Sequence, residues 1–362
     1  MIEIRAEFHV RPMSPSTFHL PIWRPGRYEA ANYAKNLRGL RFENSKGVSL
    51  EASKPQPSTW RVLADESGVV IAKYEYFAFQ MDAGSSWIDE ELIYLNFINC
   101  LLYDPTQMDV ECLVHINLPG DFTIATSLEN PEPGRFRAKD YFTLVDAPVV
   151  AGKEIQELKY SINTTDFHIW TWGTTFTDES IIESFKRFSE VQLDMMKVFP
   201  EPSYHFLLLF LPYKFYHGVE HAASTVICLG PSENLSSDEM MDQLLGVSSH
   251  ELFHAWNILK IRPRELYPYS YHAPPYFPTG FVAEGFTTYY GDLFLVRSGV
   301  RSLTWYLDEL GRLFKRHFDN HGRLSLSVVD SSFDLWIDGY QKSAPGRKSS
   351  IYVEGAVTAL LL

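Results

Sequence analysis

Residues 250–254 read HELFH, and this stretch decides how the rest of the sequence is interpreted. In an α-helix, positions i and i+4 lie one turn apart on the same face, so His250 and His254 can both reach one metal ion. Glu251 borders that face and can serve as a general base beside the ion. Two histidines and a glutamate at this spacing therefore predict a zinc site of the kind that hydrolases use.

The sequence before this stretch predicts the helix that carries it. Ser236, followed three positions later by Glu239, makes a capping-box pattern that favours a helix start. Pro263 would end the helix, because proline cannot continue its hydrogen-bonding pattern. Between them, apolar residues recur at helical spacing: Met240, Met241, Leu244, Leu245, Leu252 and Phe253.

A catalytic zinc ion usually has three protein ligands, so a third must come from elsewhere in the chain. Glu284 is the best candidate, because it opens a second helical stretch that ends near Ser298, with Gly299 placed to cap it. The segment from His254 to Glu284 is long enough to bring the second helix back to the first. Taken alone, Glu284 could equally be an acid that stabilises a helix N-terminus.

Several separate segments resemble the M61 glycyl aminopeptidase family, and they occur in the expected order. They are LPIWRPGRY at 20–28, GVEHAAS at 218–224, HELFHAWNILKIRP at 250–263 and EGFTTYY at 284–290. Residues 160–362 as a whole resemble a gluzincin metallopeptidase domain. The resemblance implies a zinc metallopeptidase in which Glu251 is the general base. Its metal ligands would be His250, His254 and Glu284.

The same resemblance implies further site residues. In such enzymes a glutamate of a Gly-x-x-Glu-like segment, on or beside the substrate-binding edge strand, receives the free amino terminus of the substrate, and Glu220 matches it. A carboxylate there would pair with an ammonium group, although Glu220 alone could be a solvated loop acid. His221 is either a substrate-side residue or a loop histidine. Tyr352 resembles the tyrosine that donates a hydrogen bond to the developing oxyanion, with simple packing as the alternative.

The amino-terminal part of the sequence is organised differently. Short segments of alternating polarity, such as 69–79 and 110–118, are separated by turns up to about residue 158. This pattern predicts a β-sandwich-like domain over residues 1–158. No catalytic constellation occurs within it.

The catalytic domain is predicted over residues 159–362. Apolar residues at helical spacing follow Thr177, 204–211 is an apolar run of strand length, and the amphipathic stretch 302–318 is expected to pack in the core. The chain stops at 356–362 in an apolar helical run without a capping signal, so we expect the natural chain to continue. Family members carry more helical structure and a PDZ-like module there. The expected fold class is α+β and multidomain, with a β-sandwich-like domain before a thermolysin-like zinc peptidase domain that is truncated at its C-terminal end.

Composition suits a globular enzyme, with 45% hydrophobic and 21% charged residues in a chain of 362. A net charge of −13 and the absence of a Lys/Arg run or a Gly-rich phosphate loop argue against a nucleic-acid partner. Residues 1–10 alternate like a strand and lack the apolar core of a signal peptide, so we expect a cytoplasmic protein, with export by a removed leader left open. No apolar run is long enough to span a bilayer, so no membrane partner is expected. The sequence does not indicate the oligomeric state.

The leading hypothesis is a zinc aminopeptidase that removes glycine or alanine from peptides with a free amino terminus. Only the family resemblance implies the preference for small residues. A zinc endopeptidase, in which Glu220 is merely a loop acid, is the second hypothesis. A non-catalytic peptide-binding protein that retains the fold is the third, and the intact Glu251 argues against it, since a structural zinc site needs no general base.

Overall fold

The computed structural model describes residues 1–176, 179–341 and 343–362. Thr177, after which the sequence predicts a helix, lies outside these ranges. A part rich in strands comes first along the chain, and a part that combines helices with one larger sheet follows it. The predicted fold class, α+β with a β-rich part before a part that combines helices with a sheet, is confirmed.

The first compact unit contains Met1–Pro25, Ala30–Lys153 and Ser270–Pro274. Its strands and helix are β1 (Ile2–His9), β2 (Pro15–His19), β3 (Leu37–Glu43), β4 (Ala52–Gln56), β5 (Thr59–Leu63), β6 (Val69–Tyr76), β7 (Trp87–Ile88), β8 (Leu92–Leu95), β9 (Cys112–His115), β10 (Thr123–Thr126), β11 (Glu129–Glu132), β12 (Arg135–Ala138), α1 (Tyr141–Val145) and β13 (Val149–Gly152). They form antiparallel sheets in the orders β1-β6-β3, β2-β5-β4, β10-β13-β8-β7 and β11-β12-β9. In β1 every second side chain is more buried, as alternation predicts, and the core behind it contains Phe18, Val70 and Ala72.

The second compact unit contains Gly26–Glu29, Glu154–Tyr269 and Pro275–Leu362. Its elements are β14 (Gln156–Ile162), β15 (Thr165–Trp172), α2 (Ser180–Met196), β16 (Ser203–Phe210), β17 (Phe215–Glu220), β18 (Ser224–Gly230), α3 (Asp238–Phe253), a π-helical turn (Phe281–Phe286), α4 (Thr287–Arg297), α5 (Leu303–Asp319), α6 (Val328–Phe333), α7 (Leu335–Asp338) and α8 (Ile351–Leu361). The four residues Gly26–Glu29 thus pack with a part of the chain that is distant in sequence.

The sheet of the second unit has the strand order β14-β15-β16-β18-β17. Its central strands β15, β16 and β18 run parallel, and β16 and β18 are buried along almost their whole length. Burial on both faces explains why these strands read as continuous apolar runs rather than alternating ones. Strand β17 pairs antiparallel with β18 and is the last strand in the order. It therefore offers backbone groups for pairing with an extended peptide.

Small residues allow the helices beneath this sheet to approach closely. Ser249 of α3 is fully buried, and its hydroxyl donates to the carbonyl of Gly291 in α4 at 2.8 Å. A Cβ atom at Gly291 would lie 3.1 Å from the Cα atom of His250. Gln192 of α2 donates to the carbonyl of Ser249 at 2.9 Å. These contacts connect three helices and fix α3 at the histidine that begins the HELFH stretch.

Helix α5 differs from expectation. Tyr306 and Leu313 are buried, whereas Leu303 and Leu307 of the same apolar face are exposed, so the face packs in the core only in part. Helix α5 contacts α4 and α8. Among the helices of the described residues, none combines the length and apolar composition that crossing a bilayer requires.

Candidate active site

Helix α3 carries the HELFH stretch at its C-terminal end. The helix begins at Asp238, and the hydroxyl of Ser237 caps it by accepting a hydrogen bond from the N–H of Met240 at 3.2 Å. The predicted cap at Ser236 is therefore wrong by one residue. The prediction of a serine-capped helix start in this segment is confirmed, because Ser237 immediately precedes the helix.

The helix also ends earlier than expected, at Phe253 rather than near Pro263. The backbone leaves the helical region at Ile258, which has a φ angle of 152°. His254 directly follows the helix and keeps helical angles, φ −60° and ψ −22°. It therefore stays one turn above His250, and the centroids of the two imidazole rings lie 4.7 Å apart.

Glu284 reaches the same place from the π-helical turn Phe281–Phe286, which leads directly into α4. A π-helical turn inserts one residue into a helix and changes the direction of the side chains around it, which is why such turns occur at functional sites. The second helical stretch predicted from the sequence is present, and Gly299, with a φ angle of 69°, follows its end as expected.

The three predicted ligand side chains converge on one point. The Nε2 atoms of His250 and His254 lie 3.0 Å apart, and Oε2 of Glu284 lies 3.7 Å and 3.5 Å from them, respectively. Ligands of a tetrahedral zinc ion, each about 2.0–2.1 Å from it, lie roughly 3.3 Å from one another. The triangle of donor atoms therefore fits a zinc ion in both size and chemistry.

A hydrogen bond fixes the orientation and tautomer of His254. Its Nδ1 atom lies 2.7 Å from the carbonyl oxygen of Asn257, which can only accept, so Nδ1 carries the proton and Nε2 presents its lone pair to a metal. The side chain of Asn257 donates to the carbonyl of Val282 at 2.9 Å and to the hydroxyl of Thr287 at 3.0 Å. One residue thus orients a ligand and joins the end of α3 to the turn that carries Glu284.

The site concentrates negative charge. Glu220, Glu251 and Glu284 are 4%, 5% and 3% exposed, and oxygens of Glu220 and Glu251 lie within 4.8 Å of each other and of a ring nitrogen of His254. Burial alone would lower the pKa of His254, but Glu220, Glu284 and Glu251 together raise it to about 10. Burial lowers the pKa of His250 despite its contact with Glu284. Three buried carboxylates in so small a volume need cations. The raised pKa of His254 makes its imidazole one such cation, but imidazoles that hold a metal ion are neutral, and the metal must then supply the positive charge.

Strand β17 places Glu220 and leaves room for Glu251. Gly218 and Glu220 lie two positions apart, so their side-chain positions face the same side of the strand. A Cβ atom at Gly218 would overlap Oε1 of Glu251 and lie 2.8 Å from Cγ2 of Val247. The backbone of the edge strand is therefore in direct contact with the carboxylate of Glu251. His221 lies in the tight turn to β18, and its side chain belongs to neither metal-capable cluster of the described residues.

Tyr352 comes to the site on the first turn of α8. A Cβ atom at Gly355 would overlap the carbonyl oxygen of Phe281, and one at Gly285 would overlap the Cα atom of Gly355. This contact between glycines brings α8, whose first turn carries Tyr352, against the π-helical turn that carries Glu284. Burial and then the charge of Glu284 raise the pKa of Tyr352, which therefore keeps its proton. Packing of Gly355 against the π-helical turn therefore explains why a glycine follows Tyr352 three positions later in the sequence.

Two residues near the amino terminus complete the site, and sequence reasoning did not assign them a role. A Cβ atom at Gly26 would overlap Oε2 of Glu220 and lie 3.0 Å from its carboxyl carbon. Tyr28 is 1% exposed and packs edge-on against Phe277, with ring centroids 4.8 Å apart. Burial raises the pKa of Tyr28, and the charges of Glu220 and Glu284 raise it further. The sequence signal was the segment LPIWRPGRY at 20–28, which contains both residues and resembles the family, but which gave neither of them a role.

The fold and the site fit a metallopeptidase whose candidate metal ligands lie on an HExxH helix and on the helical segment that follows. The family model described as the Peptidase M61 N-terminal domain matches residues 1–153, and the model described as M61 glycyl aminopeptidase matches residues 243–358. Together these two matches cover well over half of the chain. The chain belongs to the M61 glycyl aminopeptidase family.

Solved structures give a second comparison. An aminopeptidase N family protein from Idiomarina loihiensis is similar over 99% of this chain and 63% of its own, with 26% sequence identity and a TM-score of 0.91. The chain thus spans less than two thirds of the length of that protein. An M1 zinc metallopeptidase from Deinococcus radiodurans aligns over 99% of this chain and 88% of its own, at 13% identity and a TM-score of 0.46. No curated protein matches the chain at a significant level.

Proposed function

We propose that the protein is a zinc-dependent aminopeptidase that hydrolyses the first peptide bond of peptides with a free amino terminus. One observation carries the proposal: the carboxylate of Glu220 is buried within 4.8 Å of Glu251 and of His254, beside a donor triangle of the size that zinc requires. An endopeptidase has no use for an acid at this position, because an internal peptide bond brings no positive charge to it.

Charge balance supports the same proposal. Glu220, Glu251 and Glu284 bring three negative charges into a buried volume. A divalent zinc ion and the ammonium group of one substrate would neutralise them together, and a blocked amino terminus would leave one carboxylate uncompensated. Because an unpaired buried charge is costly, the site should discriminate strongly against blocked peptides.

In the proposed mechanism, His250, His254 and Glu284 would hold the zinc ion. Bound there, zinc would polarise the scissile carbonyl and lower the pKa of a water molecule toward about 7. Glu251 accepts the proton of the attacking water and passes it to the departing amine. Glu220 receives the substrate's ammonium group, and the hydroxyl of Tyr352 donates a hydrogen bond to the oxyanion of the tetrahedral intermediate.

Substrate position follows from strand β17. An extended peptide that pairs with this edge strand would lie along the side that carries Gly218 and Glu220, over Glu251. With its amino terminus at Glu220, its first peptide bond would lie near Glu251 and the donor triangle. We include a preference for small first residues, glycine or alanine, on the basis of the family match.

The test uses the zinc-loaded full-length protein with a glycine-initiated peptide and its N-acetylated twin, analysed by mass. We expect one-residue-at-a-time cleavage of the free peptide and at least 100-fold slower cleavage of the blocked one, as expected for a buried charge left unpaired. Glu220→Gln should reduce this difference while retaining zinc, and Glu251→Gln should abolish cleavage while retaining zinc. Glu233→Gln, at an exposed acid, is the matched control. Internal cuts in both peptides would overturn the proposal in favour of an endopeptidase.

A further inference from the structure

The segment Gly26–Glu29 belongs to the second compact unit although it is distant in sequence from the rest of that unit, and the proposed function gives it no part. Its first residue lies against Glu220. A Cβ atom at Gly26 would overlap Oε2 of Glu220 and would lie 3.0 Å from the carboxyl carbon and 3.1 Å from Oε1. The whole carboxylate group of Glu220 therefore lies close to the backbone of Gly26.

Glycine suits position 26 for two separate reasons. Its φ angle is 76°, in the left-handed region that residues with a side chain rarely adopt, and a side chain would also collide with Glu220. Gly47 has nearly the same φ angle, 78°, but a Cβ atom there meets nothing within 4 Å. Gly47 therefore needs only the backbone freedom. The close approach to a carboxylate is what distinguishes Gly26 from Gly47.

The other residues of the segment hold it in place. Tyr28 is 1% exposed and packs edge-on against Phe277, with ring centroids 4.8 Å apart. Glu29 forms an ion pair with Arg27, and its Oε2 accepts a hydrogen bond from the N–H of Tyr340 at 3.4 Å. A buried aromatic contact and a paired acid thus fix the backbone that follows Gly26, so this backbone can act as a rigid boundary.

Glu220 is bounded on two sides. It is the last residue of β17 and is 4% exposed. The backbone of Gly26 covers one side of its carboxylate, while one of its oxygens lies within 4.8 Å of Glu251 and of His254. A group that pairs with Glu220 must therefore fit into the space between the Gly26 boundary and the proposed reaction site.

From this arrangement we infer that Gly26 limits the substrate to peptides whose first residue carries an unsubstituted ammonium group. The inference rests on the proposed function and extends it. The charge of Glu220 explains why an uncharged, blocked terminus is rejected. The boundary at Gly26 would also reject an amino terminus that keeps its charge but carries one more carbon atom. Gly26 does not touch the reacting atoms and acts through Glu220, so it is a positioning residue.

The chemistry of the ammonium group explains the selection. A charge-assisted hydrogen bond brings its nitrogen to about 2.7–2.9 Å from a carboxylate oxygen. A methyl group on that nitrogen replaces one N–H and needs about 3.5–4.0 Å to neighbouring carbon atoms. Because Gly26 covers one side of Glu220, the methyl group and the boundary would compete for the same space.

The first experiment compares three peptides that differ only in the first residue, which is glycine, N-methylglycine or N-acetylglycine. The zinc-loaded full-length wild-type protein is used, and products are analysed by mass. N-methylglycine keeps the positive charge, so its cleavage reports on space alone. We expect kcat/KM to be about 10- to 200-fold lower for the N-methylglycine peptide than for the glycine peptide, the range that one extra carbon atom produces in a fitted pocket.

The second experiment uses Gly26→Ala. Its methyl group should displace the carboxylate of Glu220 by about 1 Å and raise KM for the glycine peptide about 10- to 100-fold. The ammonium group is paired alike before and during the reaction, so kcat should change less than threefold, with zinc content unchanged. In a Glu220→Gln background, Gly26→Ala should change KM less than twofold, because its effect passes through Glu220.

The matched control is Gly47→Ala, which has the same backbone strain without the contact. It should lower the melting temperature about as much as Gly26→Ala does and leave KM for all three peptides unchanged. Cleavage of the N-methylglycine peptide within threefold of the glycine peptide, or a wild-type KM in a folded Gly26→Ala protein, would overturn the inference alone. A wild-type protein that cleaves the glycine and N-acetylglycine peptides equally well would overturn the proposed function and this inference together.

Discussion

Replacing Gly218 by alanine tests how the edge strand and the general base are arranged. The added methyl group would overlap Oε1 of Glu251 and lie 2.9 Å from its carboxyl carbon and 2.8 Å from Cγ2 of Val247. Ordinary carbon–carbon contacts are about 3.5–4.0 Å, so the carboxylate has to retreat by about 1 Å. It can do so, because it is the end of a flexible side chain and not backbone. We therefore expect a folded protein with a displaced general base.

The magnitude follows from how sharply catalysis depends on position. A displacement of about 1 Å can reduce the rate about 100-fold, so kcat of Gly218→Ala should fall by about two orders of magnitude. Zinc content should remain stoichiometric, because the atoms nearest to the new methyl group belong to Glu251 and Val247 and to none of the candidate ligands. The unfolding free energy should fall by about 1–3 kcal/mol, the usual cost of an extra methyl group in a packed region.

The assay is steady-state cleavage of a glycine-initiated peptide, with zinc measured by mass spectrometry and stability by urea unfolding. Gly246→Ala is the matched control, because a Cβ atom there meets nothing within 4 Å and the residue lies inside α3. Alanine should stabilise that helix by up to about 1 kcal/mol and leave kcat unchanged. A Gly218→Ala protein with kcat within threefold of wild type would refute the reasoning, because β17 would then not lie against Glu251.

Three further predictions concern the metal, the helix contact and pH. Glu284→Gln should lower zinc affinity at least tenfold, and the rise in melting temperature that zinc produces in the wild type should shrink accordingly. Gly355→Ala should destabilise the protein by about 1–3 kcal/mol by urea unfolding, because its methyl group meets the backbone of Phe281, which cannot retreat as a side chain can. Burial, with a smaller effect of His168, lowers the pKa of His205 to about 3. Below about pH 6.5 the unfolded chain therefore binds a proton at His205 that the folded chain does not bind. Stability should therefore fall as pH drops below 6.5, by at most about 1.4 kcal/mol per pH unit, and His205→Gln should flatten this dependence in urea unfolding.

The predictions for Gly355→Ala and His205→Gln each have a matched control in the same chain. Gly311→Ala adds a methyl group that meets nothing within 4 Å, so its unfolding free energy should not fall. His9→Gln removes an imidazole whose side chain is 79% exposed, so the pH dependence should keep its wild-type slope. His205 accepts a hydrogen bond from the indole N–H of Trp170 on Nδ1 at 3.1 Å, which a protonated ring could not do. A wild-type slope in His205→Gln would assign the pH dependence to other groups.

The sequence predicted those features of the site that depend on local periodicity. Helical spacing is enough to place His250 over His254, and the structure keeps that relation although α3 ends one residue before His254. The structure also brings Glu284 to both imidazoles and Glu220 to Glu251, as the family resemblance implied. The roles proposed for these residues stay predictions until the experiments above are done.

The features that were missed depend on contacts between distant parts of the chain. Gly26 contacts Glu220, and Glu29 contacts Tyr340. The residues of each pair are so far apart in the sequence that a periodic pattern cannot predict the contact. The helix end was misjudged for a related reason: Asn257 draws the chain into a turn through contacts with residues near 282 and 287, and these tertiary bonds outweigh the local preference to continue to Pro263. Local propensity is a weak guide wherever tertiary hydrogen bonds compete with it.

The glycines at the site follow one physical rule. Gly26 lies against Glu220, Gly218 lies against Glu251, and Gly285, next to Glu284, lies against Gly355. In each case backbone approaches so closely that a Cβ atom would overlap an acid or the neighbouring helix. At Gly26 and Gly218 such contacts exclude water from one side of the carboxylates of Glu220 and Glu251, and a lower local dielectric strengthens the interaction of these carboxylates with a cation. The positions of the acids therefore depend on glycines that have no side chain as much as on the residues that do contact the acids. Substituting these glycines tests the site more directly than substituting surface charges would.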